Sequence, residues 1–297
     1  MIKAIFIDID GTLCDSKKNV STRTINAIKE ITQKGVIVVL CSGRPRKYTE
    51  AISKKCHASQ YIINSTGANI YDYIKKTSLY SNPINKDAVI KLYYLAQKED
   101  IRLVFDGIDS RKVTKIKNPN EETDLLVESI EDFVKYNDVF QCIITDEKKE
   151  TFTRIIPEIQ KIDGIEIKNR HKSLINSNFK NNNILFIDIG SIGTNKGIAI
   201  KKLIEFLQIN KEETVAIGDD INDLFMFEHV DYKVAMGNAL DKVKEEADEV
   251  VPSNDEDGVA VYLEKIINME DWFYEKRKSS SSRNRICWNE HGIHYVK

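Results

Sequence analysis

Residues 3–9, 36–40 and 61–63 are short runs rich in Ile and Val, with apolar residues at consecutive rather than alternate positions, so each reads as a strand buried on both faces. Between the first two, residues 21–34 place Ile25, Ile28 and Ile31 at helical spacing behind a Ser/Thr cap. The rhythm returns near the other end, with helices over 197–207, 222–229 and 258–267 and strands over 214–217 and 232–235. Strands apolar on both sides need helices over both faces. The chain is therefore α/β, with a Rossmann-like parallel sheet assembled from its first and last thirds.

The pattern changes between residues 84 and 189. Helix-like segments at 86–98 and 155–161 interleave with strand-like ones at 101–105, 139–144, 165–168 and 184–189, joined by polar stretches such as 115–123. Pro83 and the glycines of 190–193 make natural hinges, so 84–189 reads as an α+β domain inserted between core segments 1–83 and 190–269. From residue 270 the sequence passes into KRKSSSSRNR and then ICWNEHGIHYVK, a polar extension expected to lack fixed structure. Its Cys287, His291 and His294 have no further ligands nearby and do not make a zinc site.

Charge excludes some partners. Lys plus Arg number 44 against 46 acids, a net charge of −2, so no global field recruits nucleic acid or an acidic membrane. Five scattered cysteines without a CxxC pair argue against a disulfide framework and fit a reducing cytoplasm. No signal-peptide h-region and no membrane-length apolar run is seen, so a soluble cytoplasmic protein with a small-molecule partner is expected.

In a parallel α/β sheet the ligand crevice lies at the carboxyl ends of the strands. Here those ends are polar: Asp8 and Asp10 close the first strand, Cys41-Ser42-Gly43-Arg44 the second, and Gly218-Asp219-Asp220-Ile221-Asn222-Asp223 the strand at 214–217. Lys196 opens the adjoining helix. Each piece alone has a plain reading, as a turn, a loop, a helix cap or a surface lysine. All four at the ends of one sheet describe carboxylates that could hold a hard cation, beside a Lys/Ser/Gly cradle for phosphate oxygens.

The chain resembles the haloacid dehalogenase-like (HAD) phosphatase superfamily, specifically its Cof-type class IIB members with a large α/β cap. FIDIDGTL (6–13), CSGRP (41–45), TNKGIAI (194–200), GDDINDLFMF (218–227), VAMGNA (234–239) and SNDEDGVA (253–260) carry the likeness. The resemblance implies a HAD core with an inserted cap, acting as a Mg²⁺-dependent phosphomonoester hydrolase on a small phosphorylated metabolite. Asp8 would be the nucleophile that becomes an aspartyl phosphate, and Asp10 the acid and base. Asp8, the Asp10 carbonyl, Asp219 and Asp223 would hold Mg²⁺. Ser42 and Lys196 would stabilise the transferring group, with the Gly43 backbone, Asn222 and Asn238 completing the pocket and Arg44 either contacting the substrate or bracing the loop. Ser65-Thr66-Gly67-Ala68 replaces the family's usual Asn-Gly-Ala, and GSIGTNKG alters the approach to Lys196. Arg170, His171 and Lys172 form a basic cluster that reads as a solvated cap loop. A sugar phosphomutase and a non-catalytic phosphate-binding module are the alternatives, the latter disfavoured because binding alone does not need both Asp8 and Asp10.

Overall fold

The computed structural model describes residues 1–107, 110–116, 125–170, 184–279, 286–289 and 292–295, with side chains as far as residue 268. Three parallel strands begin the chain: β1 (Ala4–Asp8), β2 (Ile37–Cys41) and β3 (Tyr61–Asn64). They are followed by the antiparallel β4 (Asn69–Asp72) and β5 (Thr77–Ser81). A second group comprises β6 (Arg102–Gly107), β7 (Arg111–Val113), β8 (Leu125–Leu126), β9 (Val139–Asp146), β10 (Ile165–Arg170) and β11 (Leu185–Ser191). The chain then returns to the first sheet through β12 (Thr214–Gly218), β13 (Tyr232–Ala235) and β14 (Glu249–Val250).

Two sheets result. The larger runs in the order β14-β13-β12-β1-β2-β3-β4-β5 and the smaller in the order β10-β11-β9-β6-β7-β8. In the larger sheet β1 sits between β12 and β2, pairing Ile7 with Ile217 and Asp8 with Cys41, so three polar strand ends converge. Ile5, Phe6 and Ile7 have no exposed surface, and each buried side chain of this size contributes ~1.5–3 kcal/mol, which makes β1 a rigid support. Over one face lies the helix Thr22–Gln33, started by Ser21, whose Oγ accepts a hydrogen bond from Thr24 N at 3.0 Å, and anchored by Ala27, Ile28 and Ile31.

The smaller sheet has its own core. Leu103, Phe105, Cys142, Ile144, Ile187 and Ile189 alternate onto one face and pack against residues of the helices Lys86–Lys98, Ile130–Tyr136 and Lys149–Ile159. Tyr93, on the first of these, packs on Phe105 with ring centroids 6.4 Å apart. The opposite face of the sheet looks across a cleft to the strand ends of β1, β2 and β12.

Three features differ from the sequence expectation. The β4–β5 hairpin is not legible because its apolar run is only two residues long. It turns on Asp72, whose Oδ1 accepts from Ile74 N and Lys75 N at 3.0 and 2.9 Å, and on Lys76 at φ 55°. Residues 222–229 form a 3₁₀ turn (Ile221–Asp223) and a one-turn helix (Leu224–Phe227) rather than one helix, since Asp220 and Asp223 cap the tight turn reciprocally. The closing helix runs from Gly258 to Ser279, and Ile286–Asn289 pairs antiparallel with Gly292–Tyr295 where an unstructured extension is expected. Residues 268–279 contain no Gly or Pro to stop a helix, and Ile286, Trp288, Ile293 and Tyr295 are β-branched or aromatic. His291 lies outside the described residues, as do the side chains of Cys287 and His294.

Candidate active site

Asp8, at the tip of β1, is 6% exposed, and its Oδ1 accepts a hydrogen bond from Lys196 Nζ at 2.5 Å. The same ammonium donates to Asp223 Oδ1 at 2.7 Å. Lys196 itself is 1% exposed, as the first residue of the helix Lys196–Leu207, which Asn195 caps by accepting from Ile198 N at 2.8 Å. Asp223 Oδ2 accepts from the backbone N–H groups of Asp219 (2.9 Å) and Asp220 (3.1 Å), so one carboxylate ties the lysine to the β12 loop. Thr12 Oγ1 donates to Asp219 Oδ1 at 2.7 Å.

These bonds gather carboxylate oxygens of Asp8, Asp219 and Asp223 within 4.8 Å of one another. Burial pushes the Asp8 carboxyl well above its ordinary value; Lys196 pulls it back, and Asp223 and Asp219 push it up further. Burial and the neighbouring Asp223 likewise raise Asp219 to about 7. Lys196, although buried, is held above the usual lysine range by Asp223 and Asp8, so it stays cationic. Three carboxylates thus share one ammonium in a desolvated pocket. The cluster offers hard oxygen donors and uncompensated negative charge, which fits a small divalent cation such as Mg²⁺.

Gly11 lets these groups close up. Its φ is 91°, and a Cβ there would stand 2.4 Å from Asp219 Oδ2. Asn238 Nδ2 donates to Gly11 O at 2.8 Å while its Oδ1 accepts from Asn254 N at 2.9 Å. Asn238 therefore pins the loop after β1, instead of completing the pocket as the sequence suggests. On the other side, Ser65 N donates to Arg44 O at 2.9 Å and Thr66 N to Ser42 O at 3.1 Å, with Ser65 and Thr66 both in the left-handed region at φ 49° and 56°. A Cβ on Gly67 (φ 89°) would meet Asn195 O at 2.1 Å, so the start of the Lys196 helix rests directly on this loop.

Asp10 turns to different partners. Arg44 donates to it from Nε (2.7 Å) and Nη2 (2.8 Å), and Lys18 Nζ donates to its Oδ1 at 3.0 Å. Burial works against ionisation, but these bonds hold the Asp10 carboxyl below its ordinary value. The Arg44 guanidinium also lies 4.3 Å from the centre of the Tyr48 ring. Ser42 is buried, with its Oγ accepting from Arg44 N at 3.0 Å, and is not a wall residue of the cleft.

Between the two sheets lies a cavity of about 570 Å³, a size suited to a small metabolite. Asp8, Asp10, Gly43, Arg44 and Asn222 form part of one wall, and the buried Oδ1 of Asn222 has no hydrogen-bond partner among the described residues. The facing wall comes from the smaller sheet, where Arg102 and Val104 on β6, Gln141, Ile143 and Thr145 on β9, and Phe186 and Asp188 on β11 alternate with the core-facing residues. Sequence reasoning did not find these residues, nor Thr12. Period-two alternation with polar residues intruding at Arg102, Gln141 and Asp188 is the signal that could have shown the facing wall. Arg170 closes β10 and is not a wall residue; His171 and Lys172 lie outside the described residues.

The family model described as haloacid dehalogenase-like hydrolase matches residues 5–263. Among curated proteins, the 5-amino-6-(5-phospho-D-ribitylamino)uracil phosphatase YcsE of Bacillus subtilis (strain 168) is 29% identical over 263 residues, 87% of this chain and 93% of its own. A haloacid dehalogenase-like hydrolase from Bacteroides thetaiotaomicron superposes with a TM-score of 0.78 at 26% identity, over 90% of this chain and 100% of that one. The HAD subclass IIB sugar phosphatase BT4131 superposes with a TM-score of 0.70 over 89% of this chain and 98% of its own, at 24% identity, which speaks for the fold alone.

Proposed function

We propose, from the premise that this chain belongs to the haloacid dehalogenase-like hydrolase family and is a phosphatase of its Cof type, that it is a Mg²⁺-dependent phosphomonoesterase working through an aspartyl phosphate on a small phosphorylated metabolite. The observation that carries this is the buried Lys196 ammonium shared by Asp8 and Asp223 at the tip of the central strand. A site for phosphate binding alone needs cations. It does not need a lysine-oriented carboxylate at the cavity wall.

Asp8 attacks phosphorus, forming the Asp8 O–P bond as the bond from phosphorus to the leaving oxygen breaks. Lys196 keeps the carboxylate from rotating and offsets charge that builds on it and on the phosphoryl oxygens. Mg²⁺, held by Asp8, Asp219 and Asp223, would supply the remaining positive charge that lets a carboxylate meet an anionic phosphate. Ser42 Oγ accepts from Arg44 N and so fixes the loop that carries Gly43 and Arg44 into the cavity wall. Asp10, ionised against Arg44 and Lys18, is in the form needed to take a proton from the water that hydrolyses the aspartyl phosphate. To protonate the leaving oxygen first, it must be released from Arg44. Sugar phosphates and phosphorylated cofactors are the substrate classes in view; a relative 29% identical is named for a phosphorylated ribitylaminouracil.

Phosphate release from p-nitrophenyl phosphate and a panel of phosphorylated metabolites tests the reading. Wild-type protein should turn over with Mg²⁺, stop in EDTA and recover on adding Mg²⁺. Asp8→Asn should lose roughly three orders of magnitude or more while its circular dichroism stays native, because volume is kept and the nucleophile is not. Turnover by Asp8→Asn, or indifference to EDTA, would overturn the mechanism.

A further inference from the structure

Two stretches of chain cross between the sheets, and the second, residues 190–195, leads directly into Lys196. Strand β10 reaches over this crossing with two charged side chains. Lys168 Nζ donates to Thr194 O at 2.5 Å and to Glu166, and Glu166 Oε1 accepts from Gly193 N at 3.1 Å. Ile192 N donates to Gly164 O at 3.1 Å, and Thr194 Oγ1 donates to Ser191 O at 2.6 Å. The stretch that its glycines mark as a hinge is therefore braced.

Local structure explains why Lys168 arrives there. Its neighbours pair out of step, Ile167 opposite Ile189 and Asn169 opposite Asp188, so Lys168 is the extra residue of a β-bulge. The bulge puts Ile167 against the core of the smaller sheet and Asn169 in the cavity wall, and it re-aims Lys168 toward the crossing. Gly190 makes room for the lysine stem, since a Cβ there would stand 3.0 Å from Lys168 Cε and 3.2 Å from its Cγ. The side chain is 8% exposed, and burial pulls its ammonium below the usual lysine range while Glu166 pushes it back. A buried ammonium is costly unless its donors are used, and here they go to one carboxylate and one carbonyl.

That carbonyl lies two residues before Lys196. The next residue, Asn195, packs against Gly67 of the larger-sheet loop and caps the Lys196 helix. Both sheets thus hold the start of this helix, one through Gly67 and the other through Lys168. We propose that Lys168 is a positioning residue for the reaction: by holding Thr194 O it fixes the backbone from which Lys196 projects, so that the hold of Lys196 on Asp8 depends on how the smaller sheet is seated. This rests on the phosphatase reading above, in which Lys196 orients Asp8. Lys168 is not a wall residue of the cavity, so its effect falls on the phosphoryl end and not on the leaving group.

Lys168→Met keeps the length of the stem and removes its donors. With Mg²⁺ it should lower kcat and kcat/KM together, about tenfold, and by the same factor for p-nitrophenyl phosphate and for phosphorylated metabolites, because a displaced orienting group costs rate and not binding. Gly190→Ala pushes the same stem while leaving the ammonium in place. It should lower kcat in the wild-type chain and leave it unchanged in a Lys168→Ala chain, and this pair keeps the test decisive if Lys168→Met melts well below wild type. A loss confined to KM, or one that differs between esters, would make Lys168 a substrate or cleft residue and overturn the proposal. Unchanged kinetics, or equal losses from Gly190→Ala in both chains, would overturn it too. Any of these with an active wild type leaves the phosphatase reading standing; release of phosphate from no ester by the wild type fells that reading and the positioning role with it.

Discussion

On the larger-sheet side of the cleft, Asp8, Lys196 and Asp223 hold one another, Thr12 holds Asp219, and Arg44 with Lys18 holds Asp10. On the smaller-sheet side, the Oε1 of Gln141 has no partner among the described residues and Asp188 carries a raised carboxyl. Both walls are built on strands, so the contrast lies in how many hydrogen bonds are closed before a ligand arrives. A reacting group has to be fixed in advance, because reorganising it during the reaction would add to the barrier. A recognising group is useful only if the right ligand completes it better than water does. Asn222, with no partner for its Oδ1 among the described residues, is the exception on the reacting side and sits where both demands meet.

The closed network should break hardest. Lys196→Met leaves buried carboxylates without their ammonium and should lower unfolding free energy by about 3–5 kcal/mol, besides abolishing turnover. Chemical denaturation with and without Mg²⁺ checks this: added cation should restore part of the stability and none of the activity. A loss below 1 kcal/mol in metal-free buffer would mean that the carboxylates take up protons and the network is less closed than its distances suggest.

The open wall should show itself in pH dependence. Asp188 has a folded-state value of about 7, above that of an unfolded aspartate, so the folded protein binds the extra proton between roughly pH 4 and 7. The stability this group contributes is full below pH 4 and is lost as pH rises through 7, with a slope of at most ~1.4 kcal/mol per unit. Asp188→Asn should flatten the metal-free stability profile across that window, measured by urea unfolding at stepped pH; an unchanged slope would place the titration elsewhere.

The smallest effect concerns the loop beneath the reacting side. Thr66, β-branched, sits at φ 56° and ψ 33°, where Asn and Gly are tolerated better. Thr66→Asn should raise stability by about 0.5–1 kcal/mol in a thermal melt, and a drop would show that the Thr side chain is itself needed in the loop.

Much of the reacting side is legible in the chain because its information is local. Consecutive apolar residues mark β1, β2 and β12 as buried on both faces, and the residues ending those runs, Asp8, Ser42 and Asp219 through Asp223, occupy the ends of neighbouring strands. The β4–β5 hairpin was missed because its apolar run is short, and the end of the closing helix because residues 275–279 (EKRKS) carry no apolar residue to mark a period.

By itself the sequence determined the buried strands, the helix rhythm and the residue types at the strand ends, since periodicity and turn chemistry act over a few neighbouring positions. Only the tertiary structure decided who meets whom. Thr12 reaches Asp219 across 207 positions and Asn238 reaches Gly11 across 227. Arg44, which the chain left open as a substrate contact or a loop brace, became the bidentate partner of Asp10. Gln141 and Asp188 likewise come to one wall only once β9 and β11 are in register. Such pairings depend on how sheets pack and strands align, and no local pattern encodes them, because the energy that selects them comes from burying the two cores.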